Sequence, residues 1–325
     1  MPRQLPTIAR DAPARAINSP SSDLSPSRDC PDSTTLDLLS RLRNLLEGGP
    51  VLVCCEPSPE CVLGAVGLAY LARADPAMVR LGHVDLAQPR LGETVLEVCH
   101  SDGMALLARR VYDGLRGRIA RGCRHARRGS CRGCDGGCAS RILLACASDD
   151  PDMPQAVHAY ARLCFDQGPR VADMLAHDDV ARLEAIARHV INECEHTRQF
   201  VRFSQLHDGS FFARLSPNAN TIPLVARYFS SRMGDERFCI LDPVHLVAAL
   251  HEPGGPCQVI RLDERLCETL AAKAAASDAD DIMRELWRTF YQGLTLPDRT
   301  ASDRGYDLRA HWMPKRFWPD LPELG

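Results

Sequence analysis

The sequence predicts an α+β protein. A mixed α/β amino-terminal part in strand–helix–strand–helix order is followed by a mostly helical part with a short β-hairpin. Three observations predict this. Short apolar, β-branched runs (VLVCCE from Val51, TVLEV from Thr94) alternate with helical-period stretches between residues 50 and 120. A long apolar stripe (Val180, Leu183, Ile186, Ala187, Val190, Ile191, Cys194) marks an amphipathic helix from about Asp179 to Glu195. Asp208-Gly209 lies between alternating runs and marks a hairpin.

In chain order, residues 1–33 are rich in Pro, Ser, Asp and Arg without periodicity and read as a disordered tail. An amino-terminal α/β region follows over 34–175, with a Cys/Arg-rich insert at 121–139, and a carboxy-terminal α+β region spans 176–325. TTLDLLSRLRNLLEGG begins with the capping residues Thr34 or Thr35 and stops at Gly48-Gly49. VLVCCE, bounded by Gly-Pro and Pro-Ser, is a buried strand, and SPECVLGAVGLAYLARAD the helix after it. TVLEVCHSD is a second strand, and GMALLARRVYDGLRGRIA a helix whose far end enters the basic span. RILLACAS, the helix QAVHAYARLCFDQG and the long amphipathic helix come next. The hairpin around His207-Asp208-Gly209, the helix TIPLVARYFSSRM, the strand RFCILD, and the helices CETLAAKAAA and DDIMRELWRTFYQGL complete the body. ASDADD at 276–281 reads as a loop or cap, and the tail MPKRFWPDLPELG is punctuated by proline. His245 and His251 flank a further expected helix after Asp242-Pro243, where structural roles suffice for both.

At 325 residues, 45% hydrophobic and 25% charged, the chain is of ordinary globular composition with room for one or two domains. Its formal net charge of −3 hides an uneven distribution. From Arg109 to Arg132, nine arginines face the single acid Asp113, a net of about +8, which leaves about −11 for the rest. A basic segment on an acidic body is an electrostatic footprint. The opening residues lack the apolar core of a signal peptide, and no run of about 18 uncharged apolar residues occurs, so no membrane span and a cytoplasmic location are expected. In a reducing compartment, fifteen cysteines point to metal or burial rather than disulfides. Cys54, Cys99, Cys146, Cys164, Cys194 and Cys239 lie in apolar runs and read as small buried hydrophobes.

The stretch GCRHARRGSCRGCDGGC contains Cys123, His125, Cys131, Cys134 and Cys138. Two cysteines with two residues between them, as at Cys131 and Cys134, can chelate one ion through a tight turn, and zinc takes thiolate or imidazole to complete a tetrahedron. Five potential ligands for four places leave one spare. An iron–sulfur cluster and a metal-free, soluble Arg/Gly/Cys loop are the competing readings, and the radical SAM spacing C-x3-C-x2-C is not met. On the long helix, His189, Glu193 and His196 share one face at metal-ligand spacing, but HExxH is absent and a solvated polar face is the simpler expectation. No P-loop or G-x-S-x-G elbow occurs.

Basic and aromatic residues interleave elsewhere. The insert supplies Arg121, Arg124, Arg127, Arg128 and Arg132; RQFVRF supplies Arg198, Arg202 and Phe203; FFARL adds Arg214; and the tail adds Lys315, Arg316 and Trp318. Guanidinium groups beside aromatic faces can hold phosphates and stack bases. The competing reading puts Phe203, Phe211 and Trp318 in the core with the cations at its rim.

Four stretches (FVRFSQLHDGSFFARLSPNANTIPLVARYFSSRM, RFCILDPVH, DDIMRELWRTFYQGLTLPDR and MPKRFWPDLPE) resemble the bacterial family labelled "probable DNA metabolism protein", a domain of unknown function. A weaker likeness takes in CEPSPECVLGAVGLAYLARADP and ARRVYDGLRGRI. Members of that family are encoded beside a DNA-repair radical SAM protein, and some are fused to a uracil-DNA-glycosylase-like domain. The resemblance implies a DNA-metabolism or repair accessory protein, with DNA and one of those enzymes as partners. No fusion follows LPELG here, so a separate partner is expected. It implies no catalytic residue, and the cysteine-rich insert is not part of it. Two alternatives remain open at this point: a metal-dependent enzyme acting on a nucleobase or nucleotide, and a protein–protein adaptor without nucleic-acid contact. A zinc deaminase is not among them, because H-x-E with a downstream P-C-x-x-C is missing.

Overall fold

Val51–Cys55 (β1) is buried along its whole length, as expected of a strand at the centre of a parallel sheet. The computed structural model describes residues 35–122, 137–275 and 314–320. In it, β1 lies between Val79–His83 (β2) and Thr94–Val98 (β3), parallel to both, with Val51 opposite Val79 on one side and Thr94 on the other. Parallel neighbours require a crossover, and Pro59–Ala72 (α2) supplies it between β1 and β2. Ser58 caps α2 by accepting the Cys61 N–H at 3.2 Å, and Pro59 sits where a missing N–H is harmless. Thr35–Gly48 (α1) precedes β1 and lays Leu38, Leu39 and Leu42 against the same core.

Asp102–Gly122 (α3) runs beside α2 in the same direction. A Cβ at Gly64 would fall 3.1 Å from the Met104 carbonyl oxygen, and one at Gly67 would fall 2.6 Å from Leu107 Cγ. Both contacts advance by three residues along each helix, so the two glycines permit this close approach. Gly137–Ala145 (α4), Met153–Gln167 (α5), a 3-10 turn at Gly168–Asp173 and Asp178–Phe200 (α6) follow. His177 caps α6 by accepting the Asp179 N–H at 3.3 Å, with Asp178 and Asp179 in the positive first turn. The anticipated stripe on α6 is buried except at Ile191, and it serves two cores. Val180, Leu183 and Ile186 join the amino-terminal core, while Val190 and Cys194 join the carboxy-terminal one.

The second sheet has the order β4-β5-β6-β7-β8, formed by Ser204–Gln205, Phe211–Arg214, Phe238–Asp242, Val247–His251 and Gln258–Arg261. The expected hairpin is β4–β5, with Gly209 at φ 80° in its turn. Ile222–Met233 (α7) carries the chain from β5 to β6, which are parallel; the other pairs are antiparallel. Glu264–Ala275 (α8) closes this part, and a 3-10 turn at Lys315–Asp320 seats Phe317 in the second core.

The α+β class and the hairpin are as expected, and β6, β7 and β8 enlarge the hairpin to a five-stranded sheet. The helix expected between His245 and His251 is strand β7. A short, uniformly apolar run carries no period that separates strand from helix. The Asp242 carboxylate also decides it by accepting the Val244 and His245 N–H groups at 3.0 and 3.2 Å, which turns the chain back on β6. Strand β2 was likewise not anticipated, since Arg80 and His83 interrupt its apolar pattern. The tail 1–33, insert residues 123–136, the ASDADD stretch and the helix expected at DDIMRELWRTFYQGL lie outside the described residues. No helix among the described residues is long and apolar enough to cross a membrane.

Candidate nucleic-acid interface

Helix α3 is amphipathic because Met104, Leu107, Ala108, Val111, Leu115 and Ile119 are buried at helical spacing. That placement turns Arg109, Arg110, Asp113 and Arg116 outward, all exposed. No hydrogen bond or ion pair among the described residues engages Arg109 or Arg110. Arg116 lies over the Tyr112 ring at 5.9 Å, one turn back. Arg118 plays a structural part instead. It donates to the Phe165 and Asp166 carbonyls at 2.9 and 3.1 Å and so caps the negative end of α5. The backbone of α3 continues through Arg121 and Gly122, the first two residues of the insert.

Several basic residues of the second half are engaged by partners within the fold. Arg198 is ion-paired with Glu195, and Arg316 with Glu193. Arg202 donates to the Gln199 and Val201 carbonyls at 3.0 and 3.2 Å, closing the carboxy-terminal end of α6. Phe203 is half-buried and packs on the second core, edge-on to Phe229 and Phe238 at 5.8 Å each. Arg214 is exposed on β5, Lys315 lies 5.9 Å over the half-buried Trp318 ring, and Phe211 and Trp318 pack on the second core. A guanidinium prefers a nearby carboxylate to open water when the geometry offers one, and periodicity alone did not reveal Glu193 and Glu195 as those partners.

Glu193 is the clearest departure from the expected solvated face. Its residue is only 2% exposed. One carboxylate oxygen takes the Arg316 guanidinium and His196 Nδ1 (3.3 Å), and the other takes the Asn218 N–H at 3.0 Å. Burial pushes this carboxyl up, but the Asn218 N–H, the Arg316 guanidinium and His196 outweigh it and hold it below the usual range. His189 is exposed on the same helix and takes no part.

His245 is a second group that the fold keeps ionised. Its Nδ1 faces the fully buried Asp242 carboxylate at 2.6 Å and its Nε2 faces Asp149 at 2.9 Å. Burial by itself lowers the imidazole pKa, while the hydrogen bonds and charges of Asp149 and Asp242 reverse this and raise it to about 9. Asp149 lies on the α4–α5 loop, which is also joined to the segment before α7 by the Ser148–Ala219 bridge and the Asn220 N–H to Ala147 carbonyl bond of 2.8 Å. The next residue after the histidine, Leu246, has φ 53°, a backbone region that L side chains rarely adopt.

Of the five anticipated metal ligands, only Cys138 lies among the described residues. It is buried on α4 and hydrogen-bonded to Cys164 and Tyr160. No group of three or more His, Cys, Asp or Glu residues among the described residues could hold a metal ion. None of the described cysteines is paired in a disulfide; Cys54, Cys146, Cys164 and Cys194 are buried as anticipated, whereas Cys99 and Cys239 are half-buried. Burial pushes the thiols of Cys61 and Cys194 up to about 11. Arg121, Arg124, Arg127, Arg128 and Arg132 have no described side chains.

Two aromatic residues that sequence reasoning passed over stand beside guanidinium groups. Tyr112 pairs with Arg116 on α3, and Tyr228 on α7 lies under Arg198 at 5.4 Å while its hydroxyl accepts from Arg232 at 3.2 Å. The spacing of four residues in Tyr112/Arg116 and Tyr228/Arg232 was the available signal.

No curated protein matches the chain. Among solved structures, it is similar to RecJ from Thermus thermophilus in complex with Mg2+, with 16% identity and a TM-score of 0.30 over 74% of this chain and 51% of that one. It is also similar to the DHH domain of a member of the s1p family of ribosomal proteins, with 12% identity and a TM-score of 0.25 over 68% of this chain and 79% of that one. The chain thus spans about half the length of the RecJ chain. Both scores are too low for either likeness to bear on function. A family model, the domain of unknown function DUF4130, matches residues 151–323, which take in the second sheet, α6 to α8 and the Glu193–Arg316 pair. That match covers more than half of the sequence, and the chain belongs to the DUF4130 family.

Proposed function

We propose that this protein binds nucleic acid through the outer face of α3 and the arginine-rich insert that continues from it. On this reading it is an accessory protein of DNA metabolism that presents the strand to a partner enzyme, a radical SAM or uracil-DNA-glycosylase-like protein. The observation that carries the reading is the row Arg109, Arg110 and Arg116, exposed and outside any ion pair among the described residues, leading into a segment with five more arginines. The neighbouring Asp113 leaves this face net positive on a molecule that is otherwise acidic. Neutralised phosphates release counterions, so affinity should fall steeply with salt, by about 0.7 to 0.9 log units per log unit of salt for each contact. In fluorescence anisotropy with labelled DNA oligonucleotides, R109E/R110E/R116E should weaken binding at low salt at least tenfold and flatten the salt slope by about 2. Unchanged affinity, or binding by the native chain that ignores salt, would refute the reading.

The burial of Cys138 bears on the metal reading of the insert. With that thiol engaged by Cys164 and Tyr160, the set that fits zinc is Cys123, His125, Cys131 and Cys134. Elemental analysis should then find zinc retained in Cys138→Ser and lost in Cys131→Ser/Cys134→Ser. The reverse pattern, or no zinc in the native protein, rejects this ligand set.

A further inference from the structure

Helix α7, from Ile222 to Met233, contains no carboxylate, and its outward side carries Arg227, Tyr228, Ser231 and Arg232, all exposed. Tyr228 is 38% exposed, a high value for a large aromatic side chain. It is held rather than loose. Phe229 meets its ring edge-on at 5.1 Å, Arg198 lies over it at 5.4 Å, and Arg232 donates to its hydroxyl at 3.2 Å. Glu195 pairs with Arg198 from α6 and fixes the guanidinium plane beside the ring. Arg198 Nε is buried and without a hydrogen-bond partner. The result is an exposed aromatic ring with a cation over it and a second cation at its rim, on a helix with no negative side chain.

We infer that Tyr228 is a stacking platform for an unpaired base, with Arg198, held by Glu195, fixing the ring and Arg232 serving the adjoining phosphate, so that the nucleic acid bound is single-stranded. This rests on the nucleic-acid reading above and deepens it. A base in a duplex is already stacked on both faces and cannot reach a side chain on a convex helix, whereas every unpaired base presents a π-face to an aromatic ring or guanidinium. The cations supply the attraction to the backbone and the ring supplies the preference for single strands. A duplex would gain from Arg227 and Arg232 but not from Tyr228.

The test is anisotropy of the full chain with a labelled thymidine oligonucleotide and with a duplex of the same length. Tyr228→Ala should weaken single-strand binding about tenfold with an unchanged salt slope, and leave duplex binding as it was. Tyr228→Trp should keep or strengthen single-strand binding, which also shows that the site tolerates substitution. Arg232→Ala should flatten the single-strand salt slope by about 0.7. Equal affinity of Tyr228→Ala and the native chain for the single strand, or equal weakening for strand and duplex, overturns the inference. If R109E/R110E/R116E leaves binding intact while Tyr228→Ala weakens it, the α3 reading fails and the platform stands. If the native chain binds neither oligonucleotide at low salt, both fall.

Discussion

Arg316→Met is expected to cost about 3 kcal/mol of stability in urea denaturation, the largest effect of any single substitution considered for this chain. The reason is asymmetric. Glu193 is almost fully buried, and without the guanidinium its charge would be left with the Asn218 N–H and His196. An unpaired buried charge costs several times what the pair contributes over an apolar replacement. Glu193→Leu/Arg316→Met should therefore recover most of the loss, and the double-mutant cycle should show coupling of about 2 kcal/mol. The acid limb provides a second reading. The Glu193 carboxyl is held below its ordinary value in the folded chain, so its contribution is present above the unfolded pKa and lost as pH falls through the folded one. In Arg316→Met the folded value rises, and acid destabilisation should begin at a higher pH. A single-substitution cost below about 1 kcal/mol would show that the pair is solvated and that Phe317, packed against Phe200 and His196, anchors this segment by itself.

His245 makes the second prediction, of opposite sign in pH. Its folded pKa, about 9, lies above the ordinary value of 6.5. The imidazolium therefore stabilises the fold fully below about 6.5, and that contribution is lost as pH rises through about 9. Asp149 is half exposed, which weakens its share, so the expected loss is on the order of 2 kcal/mol. Buried thiols, which ionise more readily once unfolded, also favour unfolding at alkaline pH. The difference in stability between native chain and His245→Asn isolates the histidine, because the thiols are common to both. That difference should shrink by about 2 kcal/mol between pH 6 and pH 10. A difference that stays flat over this range would mean the ring is neutral and the two carboxylates are solvated apart. The same arrangement rules on the chemistry available here. With Nδ1 on Asp242 and Nε2 on Asp149, the ring is a charged clamp between the α4–α5 loop and the β6–β7 turn, and has no free lone pair to act as a base.

The two pairs show why the candidate site was only partly legible beforehand. The apolar stripe of α6, the hairpin at Asp208-Gly209 and the outward arginines of α3 follow from period and turn chemistry, which are local. Arg198, Arg202 and Arg316 carried the right side chains for phosphate binding, but their partners lie on neighbouring turns, at chain carbonyls or, for Arg316, on a helix far back along the chain. Tyr228 lacked any marker beyond its spacing from Arg232, since Arg198 approaches it from another helix.

The α+β class, the order of the principal helices, the strands β1, β3 and β6, and the concentration of positive charge between Arg109 and Arg132 were all legible in the order of residues. Each depends on residues close together along the chain, where geometry is set by backbone period and capping. The tertiary structure alone decided that β7 is a strand, that Glu193 and His245 are ionised inside the protein, and which arginines are committed to carboxylates. Those outcomes depend on burial and, at Arg316 and His245, on partners remote in sequence, because a charge's environment is set by what packs against it.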